Sequence, residues 1–469
     1  NFYYQKKEKE FPIKIENLNG NLYFEDGRLK VSGNAEINNS SSNIEIKLTK
    51  NEKLFIDIDS IASASSFNFL NEYNFLKSGT TNLKISIEKD NLLDENWSAH
   101  FDGDLYNNNV EIDQVLYNKK EKEKGYLKAS YYFEGGNLKK VENLTLITDD
   151  IIIRGDIILD EKGFLKKIDI KEFIRELDNY QALISFEERK NIELFITGSS
   201  ININNYFRDS KNDNFNSSIK IETDKLYLNG INFGSTKLES SVKRNEISFL
   251  NGELYYLDES YARFDFNYDL NNYSKFNINF KDFGLFLLNL DLSNKFLKGS
   301  GDLVLNVDNT TKKIKSGEYL IKNFSIKDAS FLARLLQLAS FTGLLEILAN
   351  DGIPFTDLDG SFNVKDSQIL IEDTRFKGLS LGASTKGVID LEKKRVDIKG
   401  VLIPAYAIND IINKIPLLGK IITGIDGEGI IGFNYKVFGP YENPDYSINP
   451  FSLLTPGIIR SIFDDIEKK

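Results

Sequence analysis

The chain has 469 residues, 41% hydrophobic and 12% aromatic with 34 Phe and 22 Tyr, which is ample apolar surface for a folded protein and excludes disorder. Lys and Arg total 59 against 70 Asp and Glu, a net charge of −11, which excludes the basic footprint of a nucleic-acid binder. Cysteine and methionine are absent, so disulfides, thiolate metal sites and Cys nucleophiles are excluded, and a leader or membrane anchor is expected upstream of Asn1.

From Ile13 to Val437 the dominant signal is two-residue alternation of apolar and polar side chains, the pattern of strands with one apolar and one wet face. In chain order the apolar members are Leu29, Val31; Ile44, Ile46, Leu48; Leu54, Ile56, Ile58; Leu83, Ile85, Ile87; Ile192, Leu194, Ile196; Ile219, Ile221; Phe264, Phe266; Phe276, Ile278, Phe280; Leu303, Leu305, Val307; and Phe433, Tyr435, Val437. Asn19-Gly20, Asp26-Gly27, Gly135-Gly136, Asn229-Gly230 and Asn251-Gly252 carry hairpin-turn chemistry. The fold class expected is mainly β, a long and largely antiparallel meander.

Helical spacing enters at Ile61 to Phe75, Lys171 to Leu183, Ala329 to Leu348, Ala405 to Ile422 and Leu453 to Ile466, so helices are expected mostly near the C-terminus. The organisation read from this is a repetitive β region over 1–285 and a mixed region of strands and helices over 286–469. The apolar run Phe331 to Leu348 contains Arg334 and Glu346, so no membrane span is expected within the chain. One echo occurs: Phe75-Leu76-Lys77 with Gly79, Leu83, Ile85 and Ile87 resembles Phe296-Leu297-Lys298 with Gly299, Leu303, Leu305 and Val307, compatible with a repeated unit.

Motifs of catalysis are nominal. Gly378-Leu379-Ser380-Leu381-Gly382 spells a hydrolase elbow, yet Thr385 to Leu391 reads as a strand where that motif needs a helix. Gly427-Glu428-Gly429-Ile430-Ile431-Gly432 precedes a strand, which leaves no helix N-terminus for a phosphate. His100, the only histidine, has no second ligand of its kind and is expected as a solvated imidazole on the polar face. Asp351, Asp357 and Asp359 lack the spacing of a calcium loop and are expected in turns, and the charge run Lys119 to Lys124, interleaved with Glu121 and Glu123, is expected as a solvated loop. No catalytic residue, cofactor or metal is expected, and the chain is not expected to be an enzyme.

The C-terminal third is more specific. Lys322-Asn323-Phe324-Ser325-Ile326-Lys327-Asp328-Ala329 leads into a Leu-rich helix with Ala333-Arg334-Leu335-Leu336 and Ser340-Phe341-Thr342-Gly343. Gly352-Ile353-Pro354-Phe355, Ile403-Pro404-Ala405-Tyr406-Ala407-Ile408-Asn409, Ile415-Pro416-Leu417-Leu418-Gly419, Val437-Phe438-Gly439-Pro440 and Asn449-Pro450-Phe451-Ser452 follow. This series resembles the C-terminal region of the AsmA-like envelope proteins of Gram-negative bacteria, in particular the YhdP type. The resemblance is dense from about residue 215 to 464.

The resemblance implies a periplasmic protein held in the inner membrane by an N-terminal helix, with an elongated, curved β-groove along which phospholipids slide between inner and outer membranes. Phospholipids, the two membranes and other envelope proteins are the partners it implies. Each buried methylene is worth about 0.8 kcal/mol, so a two-chain lipid needs a continuous apolar lining. The candidate lining is Ile44, Ile46, Leu48, Leu83, Ile85, Ile87, Phe264, Phe266, Phe276, Ile278, Leu303 and Leu305. Phe331, Leu335, Leu338, Leu345 and Leu348 are candidate helix residues that either cap the sheet or touch a membrane. Two readings compete with the open groove: stripes that cover one another, as in a packed sandwich or a self-filled solenoid, and an assembly role in which sheet edges pair with strands of outer-membrane proteins.

Overall fold

The structure is a computed structural model that describes residues 15–37, 39–64, 76–92, 95–112, 117–187, 191–205, 216–243, 246–269, 272–327, 351–404, 431–440 and 443–453, with Leu332, Ala333, Leu336, Gln337, Leu345 and Leu348 from the stretch between. The described residues form 29 strands, with one short α-helix, a single 3-10 turn and a few helical residues between 332 and 348 beside them, so the protein is mainly β, as the alternation indicates. Contacts divide the chain into two units, one of residues 1–231 and 235–246, the other of 232–234 and 247–469.

In the first unit β1 (Ile15–Glu25), β2 (Arg28–Ile37), β3 (Ser40–Leu48), β4 (Leu54–Ser63), β5 (Leu76–Lys89) and β6 (Trp97–Asp104) pair antiparallel, each with the next. The short strands β7 (Asn108–Ile112) and β8 (Tyr117–Lys119) form a side hairpin on the first residues of β5. The series then resumes from β6 to β9 (Gly125–Glu134), β10 (Asn137–Thr148), β11 (Ile152–Leu159), β12 (Leu165–Arg175), β13 (Asp178–Glu187) and β14 (Asn191–Asn202). β14 pairs parallel with β15 (Asn216–Thr223), which breaks the meander, and β15 pairs antiparallel with β18 (Ser235–Lys243); β16 (Leu226–Leu228) adds to the end of β14, and β17 (Ile231–Asn232) follows.

The second unit contains β19 (Glu246–Tyr256), β20 (Glu259–Asn267), β21 (Tyr273–Phe280), β22 (Phe296–Asp308), β23 (Ile314–Ile326), β24 (Ile353–Lys365), β25 (Gln368–Lys377), β26 (Leu381–Asp390), β27 (Arg395–Pro404), β28 (Ile431–Pro440) and β29 (Asp445–Leu453). Every consecutive pair in that series is antiparallel. Helix α1 (Phe283–Asn289) interrupts it between β21 and β22; Asp282 caps the helix by accepting from the Leu285 N–H at 2.9 Å.

The structure corrects several local expectations. Lys171 to Leu183 is the end of β12, a turn at Glu176 and Leu177 and the start of β13, not helix: a β-bulge between Ile170 and Phe173 slips the two-residue alternation, which imitates three-and-four spacing in sequence. Asp26-Gly27, Gly135-Gly136 and Asn229-Gly230 are turns with both residues at positive φ. Asn19-Gly20 and Asn251-Gly252 instead lie inside β1 and β19. There the missing side chain serves close approach, of the Gly20 backbone to Gly33 and of the Phe264 ring to Gly252.

Ile61 to Ser63 end β4, with most of the helix expected there outside the described residues, as are the helices expected at Ala405 to Ile422 and after Leu453, and Gly427 to Gly429. Helical conformation is present at Leu332, Ala333, Leu336, Gln337, Leu345 and Leu348. The echo has a local structural counterpart, since Gly79 in β5 and Gly299 in β22 share a left-handed backbone at φ +96° and +98°, four residues before Leu83 and Leu303.

Candidate functional site

Register sets the apolar members of neighbouring strands opposite one another, so the stripes become rows that run across the strands. In the first unit one row is Ile44–Ile58–Ile85–Phe101–Ala129. The next is Leu22–Val31–Ile46–Ile56–Ile87–Ala99–Tyr131–Val141, and a third runs Phe24–Leu29–Leu48–Leu54. Ile44 and Ile85 are 3% and 5% exposed, and Leu83 and Ile87 are equally buried, whereas Ile46 and Leu48 are half-buried. At β1, which among the described residues pairs with β2 alone, the same rows lie open, with Leu22 66% and Phe24 73% exposed.

In the second unit the row Leu254–Ala262–Phe280–Gly301–Ile321–Leu358–Phe376–Ala383–Leu402 is covered. Its cover includes α1, whose Phe283 and Phe286 rings meet Phe280 edge-on with centroids 5.3 and 4.8 Å away, and the helical residues Leu332, Leu336 and Leu348, all buried in the same cluster. The two rows beside it, Phe264–Ile278–Leu303–Tyr319 and Phe266–Phe276–Leu305–Gly317–Phe362, are half-buried apart from the buried Gly317. Eleven of the twelve candidate lining residues therefore lie in these aligned rows of their own unit, with different degrees of cover, whereas Leu83 lies opposite Ser60 and Gly103. Of the five helix candidates, Leu345 and Leu348 pack in the second unit's cluster, and Phe331, Leu335 and Leu338 lie outside the described residues.

Sequence reasoning passed over Leu332 and Leu336, whose i, i+4 spacing is the available signal, and Leu22 and Phe24, whose alternation in β1 is visible once the Asp26-Gly27 turn fixes the register.

The polar faces carry ladders in place of chemistry. Glu45 bridges Lys47 and Lys30 (3.1 Å for Lys30), and Asp57 accepts from Ser86 at 2.8 Å. His100 is half-buried rather than freely solvated, with Nδ1 2.7 Å from the Ser130 hydroxyl. Asp359 is a strand residue paired with Arg375 at 2.6 Å, and Ser380 precedes strand β26, not a helix. Lys119 lies at the other extreme from a solvated loop residue: it is fully buried, and its ammonium donates to the carbonyls of Leu105, Asn108 and Lys120 at 2.8, 3.0 and 3.0 Å. Burial pulls its pKa down while Glu123 and Asp104 hold it up.

A concavity of about 640 Å³ lies on the polar side of the first unit, over aligned bulges in β10 to β14, lined by Thr145, Arg154, Glu172, Gln181 and Thr197. It is separate from the apolar rows. Among the described residues no group of His, Asp and Glu is arranged to hold a metal, and no helix is long and apolar enough to cross a membrane.

Rows of this kind define a class: a sheet protein whose apolar face, among the described residues, is covered in some rows and half-buried in others, and whose lining side chains carry no acid-base or nucleophilic group. The model of the YhdP protein family matches residues 190–446, and the chain belongs to that family, a family of Gram-negative envelope proteins. No curated protein matches the chain.

Proposed function

We propose that the protein conducts phospholipids through the periplasm between inner and outer membranes, acyl chains running along the apolar rows and headgroups staying in water, without covalent chemistry. The observation that carries the reading is the continuity of the rows, strand after strand within each unit, combined with their passage from covered to half-open. Family membership supports the envelope setting. An alkyl chain lying on Phe266, Phe276 and Leu305 would remove apolar area from water on both sides, at about 25 cal/mol per Å². The test is lipid loading: the purified chain, incubated with vesicles of palmitoyl-oleoyl phosphatidylethanolamine and re-isolated, should carry phospholipid by native mass spectrometry, and Leu305→Asp should carry much less. A wild-type chain that stays lipid-free would sink the reading.

The assembly reading has one observation in its favour, the exposed apolar side chains of β1, which pairs with β2 along one edge. A photo-crosslinker at Leu22 separates the two, since conduction predicts adducts with lipid and assembly predicts adducts with a strand of another protein.

A further inference from the structure

The concavity on the polar side of the first unit takes no part in conduction, and it is built by a regular device. Every second strand from β10 to β14 carries an extra residue at the same level. In β10 Glu142 and Asn143 together face Asp156, in β12 Lys171 is extra between Ile170 and Glu172, and in β14 Ser199 is extra between Gly198 and Ser200. The Asn143 N–H locks the first bulge by donating to the Asp156 carboxylate at 2.9 Å. Glycine lets the backbones close up between bulges: a Cβ at Gly155 would lie 2.3 Å from the Asp169 carbonyl oxygen, and one at Gly198 2.3 Å from that of Asn179. Bulges bend a strand and re-aim its side chains, so three in line recess the sheet surface over about 19 Å, four strand spacings of about 4.8 Å.

The row across this depression is Thr145–Arg154–Glu172, continued past the β12 bulge by Gln181–Thr197. Its charges are already matched, since Arg154 pairs with Glu172 and the neighbouring Lys171 with Asp156. A phosphate, sulfate or carboxylate would have to displace one of these partners, which argues against an anionic ligand. Neutral groups are left facing the space. Among the described residues the side chains of Asn179, Gln181, Thr197 and Ser199 have no partner within the protein, and as amides and hydroxyls they offer both donors and acceptors. One apolar group breaks the wet face at this place: Phe195 stands two residues before Thr197 on the same face of β14, opposite Leu183, and is 41% exposed. An exposed ring beside amides and hydroxyls is the complement of a sugar, whose C–H groups are attracted to an electron-rich aromatic face while its hydroxyls donate and accept.

We propose that the concavity over β10 to β14 is a binding site for an uncharged oligosaccharide, with Phe195 as the ring on which one sugar packs and Gln181, Thr197 and the Arg154–Glu172 pair as partners of its hydroxyls. A guanidinium and a carboxylate each offer more hydrogen-bonding sites than one pairing uses, so that pair can hold a ligand without separating. The volume of about 640 Å³ lies within the range of small-ligand sites, roughly 300–1,000 Å³, and the length of the depression suits an extended, β-linked chain lying across the strands. The site is on the face opposite the apolar rows and stands or falls independently of conduction.

The test titrates the full chain, by isothermal calorimetry and saturation-transfer NMR, with chitotetraose and with cellotetraose, and uses a sulfated heparin tetrasaccharide as the anionic comparator. The wild-type chain is expected to bind at least one neutral tetrasaccharide, and to bind the sulfated one more weakly. Phe195→Ala and Gln181→Ala are each expected to weaken neutral binding about tenfold, whereas Phe195→Trp keeps a ring in place and retains it. These side chains lie on the wet face, so the thermal midpoint of each variant should match the wild type, and retention by Phe195→Trp separates loss of the ring from loss of the fold. No binding of either neutral tetrasaccharide, sulfated binding as tight as neutral binding, or wild-type affinity in both alanine variants would overturn the site. A loss in Phe195→Trp as large as that in Phe195→Ala, at an unchanged midpoint, would overturn the assignment of the ring as the sugar's platform.

Discussion

The two units solve the same problem, an apolar sheet face, by different means. In the first, the centre of the rows is sealed: Ile44, Ile58, Ile85, Ile87 and Ala99 are buried in one cluster with Leu76, Leu105 and the side hairpin's Val110. In the second, one row is covered by aromatic and helical side chains inserted between strands, and the flanking rows pack aromatic rings against glycines on the neighbouring strand and stay largely half-buried. Alternation therefore determines which side chains share a face, but what covers that face depends on side-chain volume and on inserted elements. A charge placed on the apolar face should accordingly have two different consequences.

The largest effect is expected at Ile85→Asp. Its carboxylate would sit between Ile58 and Phe101 with no counter-ion at that position in the row, and an uncompensated buried charge costs about 3–5 kcal/mol. Thermal unfolding followed by circular dichroism should show the first transition lowered by about 10 °C or more. Leu305→Asp, on a half-open row, can keep its carboxylate hydrated, so the midpoint should hold while phospholipid loading falls. Equal destabilisation by the two substitutions would show that both faces are sealed and would erase the contrast between the units.

Lys119→Met sharpens the comparison from the other side. The first unit closes its side hairpin with a buried ammonium satisfying three carbonyls, and methionine fills much of the volume but donates nothing. The loss should be about 3 kcal/mol and local, seen as faster amide exchange in β7 and β8 with the second unit unchanged. Unchanged exchange in that hairpin would mean that water replaces the ammonium at no cost.

How much of this was legible in sequence depends on distance along the chain. Period-two alternation places Ile44, Ile46 and Leu48 on one face without help from tertiary structure, and the fold class and the family both follow from patterns of that reach. The cover does not. Whether Ile85 is sealed and Leu305 is not depends on which strands lie across from them and on helices many residues away. Glycine inside a strand reads as a turn when the aromatic that leans over it lies on another strand, as at Gly252 beneath Phe264. The bulge in β12 and the burial of Lys119 were hidden for the same reason: a slipped alternation looks helical, and a lysine in a charged run looks solvated.

Alkaline titration compares the units with a smaller signal. Burial pushes the Tyr131 phenol of the first unit and the Tyr261 phenol of the second up to about 12, against an ordinary value of 10.0. Between those values the unfolded chain has lost the proton that the folded chain retains, so stability is full below pH about 10 and declines as pH rises toward 12, by about 2–3 kcal/mol per tyrosine at most. Absorbance at the phenolate band should show both as late-titrating groups, and Tyr261→Phe should flatten the decline in the second unit alone. An ordinary titration of Tyr261 would mean that water reaches the covered row.

The smallest effect is expected on the wet face. Lys47 first and Lys30 second hold the Glu45 carboxyl below its ordinary value of 4.5, so whatever stability the ladder supplies is present above that pH and is lost as pH falls through the folded value. Both lysines and the glutamate are well exposed, the pairs compete with hydration, and added salt screens them. Glu45→Gln should therefore leave the first unit's thermal midpoint unchanged at moderate salt, in contrast to Ile85→Asp two strands away on the opposite face. A drop comparable to that of Lys119→Met would mean that the polar ladder, and not the burial of Ile44, Ile58 and Ile85, holds β3, β4 and β5 in register.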